Sequence, residues 1–123
     1  MGKSLQDIEE ERRQAFRSLD ELDRQKKEIN RLEFQTEDLY AESIFALKQL
    51  DYLPLGSRDT MNLYDVLSAS ERNQTLIFLD IDDARNKLKK QERQVEDRID
   101  ELGRDYRLTL ENQTNRKERS YGN

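Results

Sequence analysis

A single proline, Pro54, divides the chain, and the long segments on either side of it hold almost nothing else able to stop a helix. Before it, Leu5, Ile8, Ala15, Leu19, Leu22, Ile29, Leu32, Leu39, Tyr40, Leu47 and Leu50 recur at spacings of threes, fours and sevens, with charge between them. That is the period of one apolar stripe on an α-helix. Ser4, followed three residues later by Asp7, gives the start: a hydroxyl to accept from an orphan backbone N–H and a carboxylate at the positive helix end. The first helix is expected over about 4–50. A rod of about 46 residues spans roughly 70 Å, far more than a compact domain of this mass needs, so it must lie against another helix.

The turn is expected over about 51–59, in Asp51-Tyr52-Leu53-Pro54-Leu55-Gly56-Ser57. Proline disfavours helical geometry at Leu53, and Gly56 is free to take a positive φ. Asp59 or Thr60 is placed to cap a short helix containing Met61, Leu63, Tyr64, Val66 and Leu67, with Ser68 or Ser70 starting the main second helix. Whether the two pieces join is left open by the sequence. The clearest periodicity follows: Ile77, Ile81, Ala84, Leu88, Val95, Ile99, Leu102 and Tyr106 alternate in fours and threes, with Gln91 as the polar seam position. Gly103 costs about 1 kcal/mol relative to Ala inside a helix, yet Tyr106 and Leu110 carry the stripe past it. Helix two is expected over about 60–111, closing a single domain over 1–111. Residues 112–123 are polar and aperiodic, which predicts a disordered tail. The fold class is therefore all-α, a long antiparallel two-helix hairpin of coiled-coil type.

Composition excludes several functions. Charged residues make up 40% of the chain, against about 25% in ordinary globular proteins. The net charge of -5 arises from acidic and basic residues interleaved along the sequence, without the basic stripe that nucleic acid requires. There is no His, Cys or Trp and no glycine-rich phosphate loop, so triads, thiolate metal sites and nucleotide cradles lack their parts, and neither enzyme activity nor a cofactor is expected. Asp80, Asp82 and Asp83 lack the spacing of a calcium loop and read as a solvated face. The Asn-x-Thr triplets at Asn73 and Asn112 read as chance. Met1-Gly2 begins a myristoylation motif, but Asp7 departs from it. No signal peptide or membrane span develops, so cytoplasmic residence is expected.

A second set of apolar residues does not fit the seam. At 100° per residue, Phe34, Phe45 and Tyr52 fall nearly opposite the stripe through Ile29, Tyr40 and Leu47, and Phe16 projects to a similar side. A two-helix hairpin has one seam to bury, so this row implies another helix. Leu53 and Leu55 at the turn, and Phe78 and Leu79 in the all-apolar run Leu76–Leu79, complete the expected partner-binding set. The hydrophobic turn has two readings: a surface for a partner, or one closed by the short helix packing back.

Phe16, Phe34 and Phe78 each precede an aspartate by four residues, at Asp20, Asp38 and Asp82. In length, charge pattern and hairpin layout the chain resembles the small helical partner proteins of LXG-domain toxins of the Gram-positive type VII secretion system, which are WXG-like hairpins. The resemblance implies a non-catalytic targeting or chaperone role, in which the hairpin packs alongside the toxin's N-terminal helices, with a second small helical partner as an extension and co-export with the toxin as a consequence. The WXG pattern itself is not met. No Trp-x-Gly occupies the turn, and Tyr106 has Leu110 where the family's export signal, Phe or Tyr followed four residues later by an acid, has its acid. The Phe–Asp pairs also read as ordinary one-turn neighbours on a helix. The alternatives are a self-assembling homodimeric scaffold, or a chaperone of another helical client.

Overall fold

The computed structural model describes residues 3–121, with side chains through 118. Two long helices, α1 (Leu5–Gln49) and α2 (Ser57–Tyr121), pack against each other as an antiparallel hairpin, joined by a 3-10 turn at Leu50–Tyr52 and a short extended link. The expected all-α hairpin is what the chain forms. Ser4 caps α1: its Oγ accepts from the Asp7 N–H at 3.1 Å. At the other end Leu53 is extended (φ -85°, ψ 153°), the conformation a following proline imposes, and the Leu55 N–H donates to the Leu53 carbonyl at 2.8 Å.

Two expectations change here, and one open question closes. Gly56 does not take a positive φ; it stands at the N-cap of α2, where its carbonyl accepts from both the Thr60 N–H and the Thr60 hydroxyl at 3.0 Å. The chain therefore turns through the 3-10 segment and Pro54, not through a left-handed glycine. The second helix has no break at Ser68 or Ser70 and no separate short helix, because Leu63 and Leu67 already lie in phase with Ile81 and Leu88. Nor is the segment after residue 111 disordered: α2 continues through Tyr121, although every side chain from Glu111 to Glu118 is exposed. Extending an existing helix carries no nucleation cost, so polar residues of fair propensity suffice without burial. Gly122 and Asn123, the end of the expected tail, lie outside the described residues, as do Met1 and Gly2.

The chain divides into two packing units, residues 1–25 with 88–123, and residues 26–87. In the first, Ile8, Leu88 and Leu102 are buried, with Leu5, Ala15, Leu19, Leu22, Val95, Ile99 and Tyr106 half-buried around them. In the second, only Leu63 and Ile81 are buried, flanked by Ile29, Tyr40, Ile44, Leu47 and Phe78. Polar groups occupy part of each seam. Glu11 meets Arg98 at 3.0 Å and also pairs with Lys3. Arg85 reaches across to Glu33 and donates to Asn30 at 3.2 Å while holding Asp82 at 3.1 Å. Partly exposed pairs of this kind fix register more than they stabilise.

Gly103 lies mid-helix with open space where a Cβ would stand, whereas its neighbour Leu102 is 1% exposed. Gly103→Ala is expected to stabilise the protein by about 0.5–1 kcal/mol. Leu102→Ala is expected to destabilise it by about 2–5 kcal/mol. Urea denaturation followed by circular dichroism separates these two opposite signs at adjacent positions. Glu11 gives a pH dependence. The hydrogen bond from Lys3, aided by the charges of Lys3 and Arg98, holds its carboxyl below the ordinary 4.5. Its contribution is present above the unfolded-state value and is lost as pH falls through the lowered one. Glu11→Gln should therefore lower the melting temperature above pH 4.5, with the difference from the parent chain vanishing in stronger acid.

Candidate partner-binding surface

The surface begins with what the seam leaves out. Among the described residues sixteen large apolar side chains are exposed, and thirteen of them lie within 26–87. The other three are Phe16, Leu108 and Leu110. Scattered exposed leucines are ordinary, but such a concentration in one unit is not.

Six of the eight residues expected to meet a partner are exposed. Phe34 (69%), Phe45 (65%) and Tyr52 (85%) stand in solvent, as do Phe16, Leu53 and Leu79. Phe34 and Phe45 share the side of α1 facing away from α2, since eleven residues bring a helix back to nearly the same direction. Phe16 belongs to the other packing unit, where the Arg12 guanidinium sits 6.0 Å from its ring centre. The remaining two are placed differently. Phe78 is half-buried and takes the seam position one turn before Ile81, and Leu55 is half-buried in the link.

The structure also moves residues out of the expected seam. Leu32, Leu39 and Leu50 are exposed, and their seam places go to Glu33, Thr36, Tyr40, Ile44 and Leu47. Adjacent residues such as Leu39 and Tyr40 point 100° apart and cannot both face one partner. On α2 the same rule puts Phe78 inward and leaves Ile77 exposed, puts Glu92 rather than Gln91 toward α1, and leaves Leu110 outside while Thr109 is half-buried. Ile44, half-buried, was missed because Ser43 and Phe45 beside it obscure the four-three step from Tyr40 to Leu47.

Charge is uneven in a way that local interleaving hides. Residues 26–87 carry twelve carboxylates against eight lysines and arginines, a balance of -4. The rest of the chain is therefore -1, since the whole is -5. The exposed apolar residues and the excess negative charge thus occupy the same half of each helix.

Among the described residues no group of three or more His, Asp or Glu side chains is arranged to hold a metal ion. Asp82, one of the three clustered aspartates, is occupied with Arg85. No helix of the described residues is long and apolar enough to cross a membrane. No protein-family model, curated protein or solved structure matches this chain.

Because Phe34 and Phe45 touch little of the hairpin, Phe34→Ser and Phe45→Ser should each change unfolding free energy by less than about 0.5 kcal/mol. Leu88→Asp, at a site 8% exposed, should abolish the cooperative thermal transition. Equal loss of helicity in all three variants would show that the aromatic row belongs to the core.

Proposed function

We propose that this protein is a non-catalytic binding partner for other helices, of the kind that packs against the N-terminal helical domain of a secreted LXG toxin and targets it for type VII secretion. The observation that carries the reading is the row of exposed aromatics on α1, Phe34 and Phe45, on a hairpin whose single seam is already filled by other residues. Large aromatic side chains held on a rigid helix lose little entropy on burial and are typical anchors of helix-on-helix interfaces. Loading onto the toxin would take place in the cytoplasm, with the complex as the exported species.

Light scattering on the chain alone and after co-expression with its genomic neighbour tests this. The expected result is a monomer or weak dimer that becomes a stable heterocomplex with a neighbour carrying a long helical N-terminal domain. Phe34→Asp and Phe45→Asp should weaken that complex by at least about tenfold each, the effect of burying an unpaired carboxylate in an apolar contact. A tight homo-oligomer indifferent to the neighbour would overturn the reading in favour of a self-assembling scaffold.

A further inference from the structure

A second set of exposed apolar residues lies on α1 more than about 120° round the helix from Phe34 and Phe45. It comes from the leucines that the seam excludes. Taking 100° per residue, Leu32 and Leu39 trail the line of Ile29, Tyr40 and Leu47 by about 60–80°, and on α2 Val66 and Ile77 trail the line of Leu63, Ile81 and Leu88 by about 40–60°. In an antiparallel pair, residues that trail the seam on both helices fall on the same side. The structure bears this rule out in the other packing unit, where Glu21 and Gln91 trail their seams alike and line one concavity with Leu22 and Val95.

The register brings the four residues level. Asn30 and Glu33 meet Arg85, and Asp51 accepts from the Tyr64 hydroxyl at 3.3 Å. Between those contacts Leu39 stands opposite Ile77 and, near the turn, Leu50 opposite Val66. Leu50 and the other four are all exposed. Leu32 also borders a concavity of about 240 Å³ with Ile29 and Gln35, where Glu28 and Arg31 complete the lining. The result is a row of exposed apolar residues that forms a trough along one side of residues 26–87, with charged neighbours at its Leu32 end. One turn outward from it stand the exposed carboxylates Glu42 and Asp80.

We infer that this trough is the seat of a basic amphipathic helix from a partner protein, packed lengthwise between α1 and α2 to make a three-helix bundle. This inference rests on the reading of the protein as a binder of helices. The occupant's chemistry follows from charge complementarity. Its apolar stripe meets Leu32, Leu39, Leu50, Val66 and Ile77, while its flanking lysines or arginines meet a packing unit whose balance is -4, with Glu42 and Asp80 beside the trough. A second copy fits poorly. Trough against trough places -4 beside -4, and trough against the other unit sets leucines on a surface whose exposed large apolar residues, among the described ones, are Phe16, Leu108 and Leu110.

Two synthetic helices of about three heptads, long enough to cover Leu32 to Leu50, provide the test on the full chain. Both carry leucine at the a and d positions; one is flanked by lysine and the other by glutamate. The lysine peptide is expected to bind at least about tenfold tighter, measured by fluorescence anisotropy at low salt, with the advantage shrinking as salt is added. The double variant Leu39→Ser with Ile77→Ser should lose at least about tenfold of that affinity, since two exposed apolar anchors are removed and the seam is untouched. Phe34→Ser should bind the lysine peptide as the parent chain does. The inference is overturned if the two peptides bind alike, if neither binds at millimolar concentration, or if the double variant binds normally. It is also overturned if the double variant turns a dimeric parent into a monomer, which would make a second copy the occupant. Failure here with an intact, Phe34-dependent complex with the genomic neighbour would remove the trough and leave the proposed function standing; loss of that complex as well would remove both.

Discussion

Everything in this molecule depends on the narrowness of a two-helix seam. Each helix presents one stripe to the other, and a stripe admits about two residues in seven. Ile8, Leu88 and Leu102 fill it in one packing unit, and Leu63 and Ile81 in the other. Among the described residues no third layer covers what falls outside. An apolar residue therefore either lies in the seam or faces solvent, and the surface is a direct consequence of phase.

That constraint explains the seam's polar members. Arg85 with Glu33, and Arg98 with Glu11, stand where a leucine pair would bury more area. Each pair joins α1 to α2, and sliding one helix along the other would separate both. Apolar contacts spaced by threes and fours tolerate such a slip far better, because one leucine replaces another in the same hole. The ion pairs thus make one register preferable to its neighbours, and the trough depends on that choice: only in this register does Leu39 stand level with Ile77.

How far the fold was legible in sequence follows from the same geometry. The hairpin, the cap at Ser4 and the turn at Pro54 rest on strong local chemistry, and each stands where the residues put it. The phase of the seam was less legible. Where two apolar residues are adjacent, as at Leu39-Tyr40 and Ile77-Phe78, pattern alone does not say which faces inward; the partner helix decides. The aromatic row at Phe34 and Phe45 was legible because eleven residues bring the helix back to nearly the same direction, well away from the stripe through Ile29, Tyr40 and Leu47. The helical continuation to Tyr121 was not, since periodicity detects burial and that segment buries nothing, while helix propagation needs no burial.

The charge balance shows how a property can be invisible residue by residue and decisive in sum. Along α1 and α2 no block of like charge appears, and many acids sit three or four residues from a base, as Glu28 does from Arg31 at 2.7 Å. Such pairs satisfy a helix locally. Between Glu33 and Asp83, however, the bases thin out while apolar residues accumulate on the surface. Exposed leucines and aromatics would draw copies of this chain together. The surrounding carboxylates oppose that contact over the same area, and they oppose it only for an acidic partner. On the proposed reading, an acidic surface with open apolar anchors favours a basic partner over a second copy of the chain.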